Sequence, residues 1–338
     1  MQGAMSNLER DPLELVCEEE RKTRLAQSPV ELLEPRDVPL GGPRAMNVRR
    51  TLPQRNRSLI GAWCFLDHYG PDRVSETGGM HVPPHPHTGL QTVSWLFTGE
   101  IEHRDSAGYH AMVRPGELNL MTAGSGICHS EISTPGTDIL HGAQLWTALP
   151  EKARFIEPRF DHYAPEPVVT DTYELRVFMG SLAGSTSPVP LHSPLLGAEL
   201  LLEAGAGAAF DADTSFEHGV LVDSGSVRFN GTLTTADQLA YLPPGHGSIE
   251  LSAEPGERVR LLLLGGEPLG ESIVMWWNFV GRDHDEIVEY RKNWQAEIGA
   301  EPRADGSAES SRFGKVVDNT LDYLPAPVLP NARIRPRR

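Results

Sequence analysis

Cysteine is scarce in this chain. Cys17, Cys64 and Cys128 are odd in number, scattered and without a C-x-x-C pair. That excludes a disulfide framework and a cysteine-based zinc finger, and reads as the reduced thiols of a cytoplasmic protein. Long apolar runs are also missing. The longest, at 260–264 and 273–277, are far too short to span a bilayer, so no membrane role is expected. Residues 1–20 contain no apolar stretch of the kind a secretory signal needs. Positive charge is in deficit: 30 Lys and Arg against 46 Asp and Glu give a net charge of −16. A chain so acidic repels phosphate backbones, so direct nucleic-acid binding is not expected.

What is present points to β structure. Gly and Pro contribute 33 and 28 of 338 residues, which predicts many turns. A length of 338 residues exceeds one ordinary core and suits two domains. Residues 1–34 are polar and Glu-rich and read as a flexible N-terminal arm. Short β-prone runs broken by Gly, Pro and Asp fill 35–165, with 155–168 reading as a connector. A second β-rich block occupies 166–299. Within it, Asn230-Gly231 between two short β runs is a strong two-residue hairpin signal. At the end of that block, 283–298 predicts a helix. Asp283 and Glu286 fit a capping box, Ile287, Tyr290, Trp294 and Ile298 form one stripe, and Gly299 ends it. Residues 300–338 form a Pro-rich tail ending in Arg333, Arg335, Arg337 and Arg338, which reads as a solvated tail or a surface strap.

The two blocks look like one unit in duplicate. Each carries an apolar strand reaching a glycine (Gly99, Gly225), then a hairpin, a further strand and a turn. That predicts two copies of a small barrel.

Seven of the thirteen histidines fall between His81 and His141. Two pairs stand out: His85-Pro86-His87, and His129-Ser130-Glu131. Residues i and i+2 of a strand share a face. If the two strands lie side by side and face inward, three imidazoles and a carboxylate meet at one point. Imidazole with carboxylate suits a first-row divalent ion such as Fe, Mn, Ni, Co or Cu, with positions left open for chemistry. If the first strand continued without a bulge, Gln91, Val93, Trp95 and Phe97 would share the inward face. Gln91, Val93 and Trp95 would then form an apolar substrate wall, and Phe97 core filling. His103 and His141 are candidates to orient the ligands from behind, while His81 and His110 are structural. Cys128 should point away from His129 and pack. In the second block, Asp211, Asp213, Glu250 and Ser252 fall at the corresponding positions by count. They read as exposed residues rather than ligands.

These residues carry a resemblance. The run His85-Pro86-His87-Thr88-Gly89, then 97–106, then 121–131, is similar to the pirins. Phe65-Leu66-Asp67-His68, Gln144-Leu145-Trp146 and 266–270 support it. The resemblance covers about 40–295 and is strongest at 81–150. It implies an all-β bicupin: two antiparallel cupin-type β-barrels with short helices and a C-terminal helix. Metal is expected only in the N-terminal barrel, on His85, His87, His129 and Glu131. It further implies Fe(2+), with Mn, Ni, Co, Cu or Zn as other candidates. The implied activity is that of a quercetin 2,3-dioxygenase, in which a metal-dependent enzyme opens a flavonol or similar planar enol or phenol with O2. Glu131 would serve as general base. The competing implication is a non-catalytic iron-binding redox sensor acting through a protein partner. Two departures stand out. Thr88 and Gln91 occupy positions where pirins commonly carry Arg and Glu.

Overall fold

The structure is a computed structural model, and it describes residues 29–40, 46–302 and 311–336. Cys17, most of the N-terminal arm, Arg337 and Arg338 lie outside the described residues. Strands dominate, and they form the two barrels the duplicated pattern predicts. Each barrel sets a seven-stranded antiparallel sheet against a four-stranded one. In the first, the large sheet runs in the order Arg159–Tyr163, Leu118–Thr122, Leu90–Thr98, Ile139–Ala148, Trp63–Arg73, Met46–Leu52, Arg36–Leu40. Its small sheet runs His81–His87, Ile127–Ser133, Ile101–Asp105, His110–Val113. The second barrel repeats the plan, with Gly207–Asp211, Ser248–Ala253, Ser226–Phe229 and Thr232–Thr235 as its small sheet. Asn230 and Gly231 both take positive φ, 44° and 84°, as a tight hairpin turn requires.

The two large sheets pack face to face. Val93, Trp95, Phe97 and Leu145 from the first interleave with Phe178, Leu221, Leu262 and Leu264 from the second. Trp63 crosses this seam, and its Nε1 donates to the carbonyls of Leu196 (3.2 Å) and Gly265 (3.1 Å). At the seam Gly61 (φ +55°) stands so close to Gly266 that a Cβ would lie 2.7 Å from its Cα. No larger residue fits there.

The chain crosses between the barrels in ways local patterning did not reveal. Residues 31–33, assigned by sequence to the arm, are a strand paired with Leu239–Leu242 at the edge of the second barrel's large sheet. Residues 159–163, assigned to a connector, are a strand paired with Leu118–Thr122. The helix His284–Glu297 starts at Asp283, whose carboxylate accepts from Asp285 N and Glu286 N. It buries Ile287, Tyr290 and Trp294 as its stripe predicts. It does not complete the second barrel, however. Those side chains pack in one cluster with Val48, Tyr69, Val82 and Cys128 of the first. The tail from 311 to 336 crosses the same surface as a strap. Phe313, Leu324 and Ile334 are buried in that cluster, and Leu324 N donates to Pro84 O at 2.9 Å. Among the described residues no helix is long and apolar enough to cross a membrane.

Candidate metal centre

His85, His87 and His129 are fully buried inside the first barrel. The strands His81–His87 and Ile127–Ser133 pair so that His129 stands opposite His85. The pairing is irregular between His129 and Glu131, because Glu131 lies opposite Val82. The extra residue falls at Pro83-Pro84, whose rings leave no N–H to give to the ladder. Pro83 O is thereby turned to accept from His85 Nδ1 at 2.9 Å. That bond places the proton on Nδ1, so the ring's lone pair is on Nε2.

The three imidazoles face one another at ring-centroid distances of 4.4–4.9 Å. One ligand atom from each lies within 4.8 Å of the other two. His129 is held from behind. Its Nδ1 stands 3.3 Å from His103 Nδ1, and His103 Nε2 stands 3.1 Å from Asp105 Oδ2. Asp105 Oδ1 in turn accepts from Ala107 N and Tyr109 N. With His129 donating through Nδ1, its buried Nε2 carries the lone pair and has no hydrogen-bond partner. Burial, then the neighbouring imidazoles, push His87 and His129 well below the usual histidine range. Burial pushes His85 down to about 4. All three are therefore neutral at neutral pH, the form that binds a cation.

Glu131 sits one step aside. It groups with His129 and His103, not with the full set of His85 and His87. Its Oε1 accepts from Ser94 Oγ at 3.2 Å, and Ser94 Oγ also lies 3.0 Å from Gln144 Oε1. Burial raises its pKa, opposed by His103 and by the Ser94 hydroxyl.

The wall expected from Gln91, Val93 and Trp95 is elsewhere. Val93 and Trp95 point out of the barrel into the seam, where Trp95 stacks on Phe178 of the second barrel at 4.5 Å. Gln91 donates to Thr122 Oγ1 and accepts from Thr147 Oγ1. Ser94, one position out of phase with them, is the residue that faces Glu131. The turn at Thr88-Gly89 (φ +74°) carries the chain from the small sheet into the large one and reverses the phase of the alternation. The aromatic wall is instead Trp146, 5.2 Å from His87, stacked on Phe65 at 4.0 Å. Phe160 covers His103 at 4.8 Å, and half-exposed Tyr109 stacks on Phe160 at 5.6 Å. His103 stands directly behind His129, with 3.3 Å between their Nδ1 atoms. His141 stands behind no ligand: its ring lies in the seam, against Asp223 of the second barrel. Cys128 is buried beside the strap, on the face away from His129, and burial raises its pKa well above the ordinary thiol value.

With this geometry in view, the relatives can be placed. Residues 45–147 match the Pirin family and residues 197–298 match the Pirin C-terminal cupin domain. The chain belongs to the pirin family. Another pirin-like protein, from Caulobacter vibrioides, is 37% identical over 74% of this chain and 88% of its own. A Pseudomonas aeruginosa protein named Putative quercetin 2,3-dioxygenase PA1205 is 43% identical over 87% of this chain and 89% of its own. The crystal structure of quercetin 2,3-dioxygenase from Acinetobacter baumannii superposes with a TM-score of 0.82 at 37% identity, covering 91% of this pirin and 97% of that chain. The first barrel's buried, neutral, preoriented imidazoles have the donor chemistry a divalent metal needs.

Proposed function

We propose that this pirin is a metal-dependent dioxygenase of quercetin 2,3-dioxygenase type, opening a flavonol or similar planar enol or phenol with O2. His85, His87 and His129 would hold Fe(2+), or one of Mn, Ni, Co, Cu or Zn, with Glu131 as a fourth ligand reached by a small side-chain movement. The observation that carries the reading is the set of three buried imidazoles whose ligand atoms lie within 4.8 Å of one another, with the Nδ1 atoms of His85 and His129 held by fixed partners. When bound, the metal supplies Lewis-acid activation of the substrate hydroxyl and a template for both reactants.

The chain's own residues do the rest. Glu131 is placed to accept the hydroxyl proton, and Ser94 Oγ steadies the carboxylate that accepts it. Asp105 and His103 fix the orientation of His129. The stacked pair Phe65–Trp146 offers a flat apolar surface beside His87 for a planar ring. The Tyr109–Phe160 stack covers His103 on the side toward the surface. Burial of the cluster keeps bulk water from competing.

The test is to load the protein anaerobically with each divalent metal, admit oxygen and follow the quercetin absorbance. The reading predicts turnover with at least one metal and its loss in Glu131→Gln. Absence of turnover with every metal, in protein shown to bind them, would contradict it. The complete burial of the three imidazoles favours one alternative, a closed redox-sensing centre that acts through a protein partner. A pull-down whose partner depends on the oxidation state of the bound iron, without flavonol turnover, would select it.

A further inference from the structure

We propose that His68 is a doubly protonated imidazolium that latches the two barrels together through Asp223 and Asp237, so that the joint between them loosens when His68 loses a proton. His68 belongs to the strand Trp63–Arg73 of the first barrel, and both of its nitrogens face carboxylates of the second. Nε2 stands 2.8 Å from Asp223 Oδ1, on the strand Glu217–Ser224. Nδ1 stands 3.0 Å from Asp237 Oδ1, in the turn between Thr232–Thr235 and Leu239–Leu242. A carboxylate oxygen only accepts, so each contact needs an N–H. A neutral imidazole has one N–H and would turn its lone pair on one of the two oxygens. The geometry therefore holds this buried ring in its charged form. Burial alone would lower the pKa of His68, but the hydrogen bonds to Asp223 and Asp237 overcome it and raise the value above that of an ordinary histidine. Burial alone would likewise raise the two carboxyls, and the imidazole hydrogen bonds hold both below the usual carboxylate range.

Charged groups reach the ring from each element packed on it. Arg49, opposite His68 on the strand Met46–Leu52, places Nε 2.7 Å from Asp237 Oδ1. Its Nη2 is 3.3 Å from His68 Nδ1 but donates to Gly70 O, and the shorter Nδ1 contact is the one to Asp237. His141, from Ile139–Ala148, brings Nε2 to 2.5 Å from Asp223 Oδ1. Arg260, from Val259–Gly266, stands 3.5 Å from Asp223 Oδ2 and 3.3 Å from Glu199 Oε1. Burial pushes Glu199 up to about 7, opposed by Arg260 and Arg176. Asp72, on His68's own strand, feels Arg49 and His141, and burial raises its pKa. Phe97, 6.2 Å away, meets the ring edge-on. When His68 is neutral, Asp223 keeps Arg260 and His141, and Asp237 keeps Arg49. What is lost is the one side chain that grips both carboxylates at once. The Asp237 side chain is 36% exposed, which gives the proton a path to solvent without opening the seam. Because the folded pKa of His68 is raised, the folded state holds the extra proton. The latch is complete below the unfolded value of about 6.5 and is lost as pH rises through the folded value. The strands that carry His68 and His141 also carry Phe65 and Trp146, so the latch ties the aromatic wall beside His87 to the second barrel.

The experiment reads the imidazole nitrogens of isotope-labelled full-length protein by nuclear magnetic resonance, with the His68 signals assigned by their absence in His68→Gln. The inference predicts that both nitrogens are protonated at about pH 7.5, and that the titration of His68 falls back toward about 6.5 in Asp237→Asn. A His68 that carries a lone pair at about pH 7.5 in the wild type would overturn it. The latch itself is read at Trp63, whose indole N–H crosses the seam to Leu196 O and Gly265 O. Its hydrogen exchange should be about tenfold faster in His68→Gln than in the wild type at about pH 7, and the two rates should converge as pH is raised through the titration of His68. Equal rates at about pH 7, or a ratio that stays constant with pH as a merely structural contact would give, would overturn the latch. Should His68→Gln fail to fold, the nitrogen signals, assigned instead by the shift that Asp237→Asn imposes on them, decide alone.

Discussion

The two barrels are built to one plan and filled with opposite chemistry. In the first, the ladder of the small sheet sets His129 opposite His85, with Glu131 two residues on. In the second, the corresponding ladder sets Ile249 opposite Phe210, with Leu251 two residues on, opposite Ala208. Phe210, Ile249 and Leu251 form one apolar cluster with their neighbours Val220, Val227 and Phe229, and Ala208 packs against it. The first barrel instead buries polar groups, many of them paired: the bidentate Arg50–Asp67 pair at 2.6 and 2.7 Å, Ser94 on Glu131, and Asp105 on His103. The difference teaches that the barrel wall is indifferent to its filling. Hydrocarbon stabilises the second copy directly. The polar groups just named in the first are tolerated because they are paired, although Thr51 Oγ1, Tyr69 Oη and Trp146 Nε1 are buried there without a hydrogen bond.

The harshest way to break the comparison is to carry the first barrel's chemistry into the second. Leu251→Glu puts a carboxylate where Glu131 sits, without a counterpart of Ser94 or His103 to receive it. It should cost more than about 4 kcal/mol, read by urea unfolding. A loss under about 1 kcal/mol would show that the second interior is not sealed. Trp95→Ala tests the seam. It should cost about 3–5 kcal/mol and leave the metal content unchanged, because the indole packs on Phe178 and not on the histidines. Metal loss at constant stability would restore Trp95 to the site.

Protons give the next effect. The folded pKa of His85 is lowered to about 4, below its unfolded value near 6.5. The folded state therefore holds fewer protons, and stability is complete above about pH 6.5 and lost as pH falls toward about 4. For metal-stripped protein this group contributes on the order of 3 kcal/mol, and His85→Gln should flatten the slope of stability against pH by up to one proton. An unchanged slope in pH-dependent denaturation would contradict the burial account. The smallest effect is expected from Ser94→Ala, about 1 kcal/mol of stability. Its sharper readout is weakened metal binding by dialysis, since the hydroxyl orients Glu131.

Much of this was legible in the sequence, where the deciding information is local. The H-x-H and H-x-E spacings brought three imidazoles to one point because alternation within one strand is fixed by the pleat. Asn230-Gly231 and Asp283 announced their turn and helix cap for equally local reasons. The pocket was not legible. One turn, Thr88-Gly89, separates the histidine strand from Leu90–Thr98, and a phase change there sends Val93 and Trp95 to the seam and Ser94 to the centre. Trp146 and Phe65 lie in runs similar to the pirins, yet no spacing ties them to His87 across 59 and 22 positions. The strand at 31–33, the docking of the helix on the first barrel and the place of His141 all depend on partners far away in the chain. The same holds for Asp211 and Glu250, where counting landed beside the inward positions: the buried residues are Phe210 and Ile249.

Everything said of chemistry in the first barrel depends on its imidazoles sharing one ion. The most direct measurement is metal analysis of the purified wild type beside His129→Ala, both shown to be folded. The account predicts that the variant holds one equivalent of metal fewer per chain. Equal metal content in the two proteins would contradict it.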